Sequence, residues 1–158
     1  GVPQNVTMPY PTTHLDITAT LVELAGAQEQ APKNLDGLSF AGALKPEPDF
    51  TPDEWRQFSF SEFFADIGTW WNVRVHNSTH TFSYHWWCTN ETEVFDNIKD
   101  PLQLENQAEW GTFEGTEFGR RVEAEFFPIA TALGECSGDT CRNPVPKNKG
   151  PGPLPCYK

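Results

Sequence analysis

The sequence predicts an α+β domain: a small antiparallel sheet of about four strands with a helix from the C-terminal part of the chain packed on it. Three observations carry this. Between residues 58 and 96 the apolar residues recur with a period of two, as half-buried strands require. Asn77-Ser78 supplies a hairpin turn between two of these runs. From 114 to 134 the period lengthens to three and four, the spacing of a helix with one buried face.

Taken in order, residues 1–11 are Pro-rich and extended. Ile17, Leu21 and Leu24 then recur at helical spacing, Asp16 stands ready to cap the N-terminus, and Gly26 occupies the position of a C′ glycine, so a helix is expected over about 17–25. Residues 27–57 read as a connection, with a turn at Asp36-Gly37 and a short helical piece anchored by Leu38, Phe40 and Leu44. Strands are expected at 58–64, 70–75, 81–88 and 93–96. The third places Phe82, Tyr84, Trp86 and Cys88 on one face and Thr81, Ser83, His85 and Trp87 on the other. In the last helix Phe118, Val122, Phe126, Ile129 and Leu133 form the apolar stripe, and Pro128 must kink or restart it. The five prolines of 142–158 predict an irregular tail, pinned through Cys156 if that residue is bridged.

The 158 residues carry 22 acidic and 11 basic side chains, a net charge of −11. Such a field repels phosphate, which argues against nucleic acid or an anionic membrane as partner. No apolar run approaches the roughly 20 residues that span a bilayer. A hydrophobic content of 37% is low for a self-sufficient globule, although six Trp, three Tyr and twelve Phe offset it. Gly1-Val2-Pro3 carries no targeting signal, yet three glycosylation sequons occur, at Asn5, Asn77 and Asn90. Cys136 and Cys141 bracket a Ser-Gly-Asp-Thr turn that can close a disulfide, whereas a zinc site would need two more ligands that do not follow. Cys88 and Cys156 are left to pair together, with another chain, or not at all. Sequons and cysteines both point to an oxidising compartment, and therefore to an exported piece of a longer precursor.

The chain contains no complete catalytic apparatus: no Gly-x-Ser-x-Gly, phosphate loop or calcium loop occurs, and no catalytic or metal-binding residue is assigned. His76 and His80 have a helical metal spacing, but their flanks read as strand. Of each Trp pair, 70-71 and 86-87, one ring must be buried, because neighbours on a strand point to opposite faces. Asp96 and Asp100 read as local caps. His85 and Trp87, on the polar-aromatic strip, are the candidates for contact with an anionic or sugar substrate; the competing reading of His85 is a satisfied structural histidine.

Several blocks resemble the C-terminal part of a sulfatase. They are His14-Leu15-Asp16-Ile17-Thr18-Ala19-Thr20-Leu21 with Leu24-Ala25-Gly26, then Leu35-Asp36-Gly37-Leu38-Ser39-Phe40, and Trp55-Arg56 followed by Phe60-Ser61-Glu62-Phe63. Further on come Glu93-Val94-Phe95-Asp96 through Asp100-Pro101 to Asn106-Gln107-Ala108, and finally Cys136-Ser137-Gly138-Asp139-Thr140-Cys141-Arg142. The last is similar to the terminus of the N-acetylglucosamine-6-sulfatase and algal or fungal arylsulfatase branch. Where the family usually has Pro before its Thr, this chain has Ala19.

The resemblance implies an alkaline-phosphatase-like α/β enzyme hydrolysing sulfate esters with a formylglycine nucleophile beside a calcium ion. No Cys-x-Pro-x-Arg occurs here, so formylglycine, calcium and the catalytic residues are expected on an N-terminal companion chain of the same precursor, nicked by proteolysis. On this reading residues 1–50 hold an extended segment, the last helix of the large domain and a connection. Residues 51–141 form the sheet subdomain with its helix, and 142–158 the Pro-rich tail. The implied destination is secreted, extracellular or cell wall, with the lysosome as alternative. The competing function is a non-catalytic glycan-binding or scaffold module derived from a sulfatase.

Overall fold

The computed structural model describes residues 2–64, 68–76, 81–109 and 114–145. The Asn77 sequon, His80, the hairpin turn at Asn77-Ser78, Cys156 and the tail beyond 145 lie outside the described residues.

Helix α1 spans His14–Leu24 and is followed by two single-turn 3-10 segments, Gln28–Gln30 and Ala41–Leu44. Strands β1 (Phe58–Phe63), β2 (Trp70–His76), β3 (Thr81–Trp87) and β4 (Thr92–Asp96) pair in sequence order as a four-stranded antiparallel sheet. Helix α2 (Glu117–Gly134) and the short α3 (Asp139–Arg142) complete the chain. This is the α+β fold the sequence predicts.

The register aligns Phe60, Val73, Tyr84 and Val94 across all four strands on one face. Flanking rows put Phe58, Val75 and Phe82 to one side and Trp71 and Trp86 to the other. This face meets α2, whose Val122, Phe126, Ala130 and Leu133 complete the core. Phe82 stands edge-on to Phe126 at 4.8 Å between centroids, and Trp86 to Phe127 at 4.8 Å. Gly134 permits a close approach of helix to sheet: a Cβ there would sit 2.4 Å from the Trp71 ring.

Pro128 neither restarts nor ends α2, which runs unbroken from 117 to 134. The proline leaves the Ala124 carbonyl without its helical donor, and Ala124 lies on the exposed face of the helix, where that loss costs less than in the core.

The outer edge of β4 is closed by a side chain. Asn106 Oδ1 accepts from the N–H of Val94 at 2.9 Å and its Nδ2 donates to the Thr92 carbonyl at 3.1 Å, while the Gln107 N–H donates to the Val94 carbonyl at 2.8 Å. Asn106 thus acts as a fifth strand, protecting an edge that would otherwise be open to pairing.

Helix α1 is built differently from expectation. Its N-cap is Thr13, not Asp16; Asp16 is the third helical residue and its carboxylate accepts from the Thr13 N–H at 2.7 Å. Gly26 does take the left-handed conformation after the cap, with φ 65°. The side chains α1 turns inward are polar, Asp16 and Thr20. Asp16 accepts from the Leu38 N–H at 2.8 Å and from Arg56 Nη2 at 2.5 Å, and Thr20 Oγ1 accepts from the Phe40 N–H at 3.0 Å. The apolar residues at helical spacing face outward: Ile17 is 46% exposed, Leu21 61% and Leu24 62%.

The disulfide turn closes as predicted, with the Cα atoms of Cys136 and Cys141 5.0 Å apart. It is clamped to the connection after α1: the Gly138 N–H donates to Asp36 Oδ1 at 2.6 Å, and Arg142 donates to the Leu35 carbonyl. Cys88 is also disulfide-bonded.

Candidate functional site

The sheet face turned away from α2 carries the polar-aromatic strip. Its register sets Asn72 beside His85 and His85 beside Glu93, with Trp70 beside Trp87 in the next row. Phe63 stacks on Trp70 at 6.0 Å, and Trp70 meets Trp87 at 6.3 Å. As the alternation demands, Trp71 and Trp86 are core, and Trp70 and Trp87 remain half-exposed.

The connection after β4 divides this face. Residues 97–103 fold across its far end, where Asn97 Nδ2 and Gln103 Nε2 both donate to Ser83 Oγ, at 2.9 and 3.0 Å. Ser83 is therefore buried, not part of an open strip, and Phe95 beside it is buried too. The sequence could not reveal this, because the lid arrives from 14 to 20 residues away. Asp96 and Asp100 hold the lid's turns by accepting from the backbone N–H groups of Ile98 and Lys99, and of Glu105.

What stays open is a groove of about 430 Å³ lined by Trp87, Glu91, Glu93, Phe95, Gln103 and Leu104. Trp87 Nε1 donates to Glu93 Oε2 at 3.2 Å, which fixes the indole plane. His85 stands behind the groove: its Nε2 is 3.1 Å from Asn72 Nδ2, and its ring lies 6.0 Å from Phe95 and 6.3 Å from Trp70. Burial pushes the His85 pKa below 6.5, opposed by the charge of Glu93. The imidazole is then neutral at pH 7, and the groove presents an aromatic plane and two carboxylates without a cation of its own. Those groups suit the CH face and hydroxyls of a sugar ring; they repel a sulfate group.

The His85 environment makes a pH prediction. Because the folded pKa is depressed, the unfolded chain binds the proton first, so stability is full above about pH 6.5 and falls as pH drops through the folded value. Denaturant midpoints between about pH 7.5 and about pH 5.5 should fall more steeply for the wild type than for His85→Gln; parallel slopes would contradict the burial.

A second, smaller cavity of about 160 Å³ lies between α1, β1 and the disulfide turn, with Arg56 and Arg142 in its wall. Both guanidiniums are committed, to Asp16 and to the Leu35 carbonyl, so this is a structural seam. Among the described residues, no group of three or more His, Cys, Asp or Glu could hold a metal ion, and no cysteine is free. The described residues thus do not fit a calcium cage or a formylglycine precursor. His76 instead contacts Thr81 Oγ1, through Nδ1 at 3.2 Å. Of the sequon residues, Asn5 and Asn90 are both exposed and both in the left-handed region, at φ 57° and 70°.

No family model matches the chain. Sulfatase ppz1 of Metarhizium majus (strain ARSEF 297) is 27% identical over 135 residues, covering 85% of this chain and 27% of the relative. The chain therefore corresponds to about a quarter of that protein's length. This likeness, together with a four-stranded antiparallel sheet and packed helices consistent with a C-terminal sulfatase portion, supports a relationship of the chain to the sulfatase family.

Proposed function

We propose that this chain is the C-terminal chain of a two-chain sulfatase that hydrolyses sulfate esters, with formylglycine, calcium and the catalytic residues on an N-terminal companion from the same precursor. The observation that carries the proposal is the inverted helix α1. A soluble helix ordinarily turns its apolar stripe inward; here the polar Asp16 and Thr20 are inside, and Leu15, Ile17, Leu21 and Leu24 are 46–62% exposed. Burying such a leucine fully stabilises by about 1.5–3 kcal/mol, so the stripe is a strong drive toward a covering partner. The likeness to 27% of a sulfatase, leaving most of that protein unmatched, supports a companion of the same precursor as the cover. The groove at Trp87 contributes walls for the non-sulfated part of the substrate, and the cations that hold the sulfate belong to the companion.

The test is to purify the assembly from its source and assay a chromogenic aryl sulfate. Activity should migrate with both chains and be absent from this chain alone. Leu21→Glu with Leu24→Glu changes two side chains this chain leaves open, so the chain should still fold while affinity for the companion falls at least about tenfold. An unmoved affinity, or active preparations lacking a second chain, would reject the proposal.

A further inference from the structure

A cavity bordered by a chemically modifiable side chain lies on the opposite face of the sheet from Trp70, beside α2. A groove of about 680 Å³ runs between the end of β3, the start of β4 and the exposed side of α2, within the roughly 300–1,000 Å³ typical of ligand clefts. Its wall includes Trp86, Phe127, Pro128 and Ala124, three carboxylates (Glu91, Glu109 and Glu123), and Asn90 itself. Asn90 heads the sequon Asn90-Glu91-Thr92. We propose that this groove is the seat of an N-linked glycan carried by Asn90, holding its first one or two N-acetylglucosamine rings against Phe127 and Pro128.

The local backbone aims the side chain. The Trp87 N–H donates to the Glu91 carbonyl and the Asn90 N–H to the Trp87 carbonyl, both at 2.9 Å, which closes a three-residue hairpin loop. Asn90 occupies the left-handed position that such a loop requires, at φ 70°. It is thus held by backbone bonds at the groove's rim rather than on a free tip. The lining matches a sugar core: apolar rings for its CH faces, carboxylates to accept from its hydroxyls, and no charge on the ligand to be repelled by the glutamates. Thr92 donates its hydroxyl to Glu123, fixing one of those acceptors. The Cys136–Cys141 bridge fits the oxidising route on which such glycans are added. Attachment forms a bond from Asn90 Nδ2 to the anomeric carbon of N-acetylglucosamine. It breaks that carbon's bond to a lipid diphosphate donor, and the amide proton leaves with the diphosphate.

The test uses the intact glycoprotein from a secreting eukaryotic host. Release by a peptide amidase that cleaves the sugar–asparagine bond is followed at Asn90 by mass spectrometry, on native and on heat-denatured protein. Native release should be at least about tenfold slower than denatured release. Ala124→Arg fills the groove from an exposed helical position without touching the core, and should return native release to near the denatured rate. An unmodified Asn90, equal native and denatured rates, or protection that survives Ala124→Arg would each overturn the proposal.

Discussion

Replacing Asp16 with Ala is expected to remove about 3–5 kcal/mol of stability, the usual consequence of leaving one partner of a buried ion pair unmatched. The carboxylate is fully buried, and it is shared by the Thr13 N–H, the Leu38 N–H and the Arg56 guanidinium. The Arg56 side chain is itself only 13% exposed, so the lost charge is not replaced by bulk water. Denaturant unfolding should lower the midpoint for Asp16→Ala, and an added Arg56→Met change should recover part of the loss by removing the stranded cation. If the double variant is as unstable as the sum of the singles, the pair is not the source of the effect.

Tyr84→Ala is expected to destabilise by about 3–5 kcal/mol, as a large-to-small change at the centre of the sheet. Tyr84 is 1% exposed, between Val73 and Val94 in the register, and faces α2. Burial, with the charge of Glu123 second, pushes its phenol pKa up. Ser83→Ala on the opposite face is a smaller loss of about 1–3 kcal/mol, because Asn97 and Gln103 lose their acceptor under the lid. An open Ser83 would have made that change nearly neutral. Thermal or urea unfolding that ranks Ser83→Ala above Tyr84→Ala would contradict the position of the core.

The sheet was legible because strand periodicity is written locally. The alternation of Phe82, Tyr84 and Trp86 with Thr81, Ser83 and His85 follows from backbone pleating, and all three aromatic residues are buried as read. The same holds for α2, where Val122, Phe126 and Leu133 recur at helical steps and meet the sheet. Periodicity states which residues share a face, however, and not what covers it. Ser83 and His85 share a face, yet one is sealed by Asn97 and Gln103 while the other stands against Phe95, a wall of the open groove. In α1, spacing correctly grouped Ile17, Leu21 and Leu24 but could not tell that the opposite, polar stripe is the one this chain buries. Asn106, whose amide closes the β4 edge, carried no local signal of that role.

The sequence by itself determined the four strands, their antiparallel arrangement with a hairpin between the second and third, the helix that covers them and the disulfide turn. Each of these depends on near neighbours: backbone geometry, side-chain alternation and short loops. Only the tertiary structure decided where Asp16 spends its charge, which end of the open face stays accessible and how the 136–141 turn locks onto Asp36, 102 residues away in the chain. Those outcomes rest on polar groups finding partners across long separations, and such pairing leaves no period in the sequence to read.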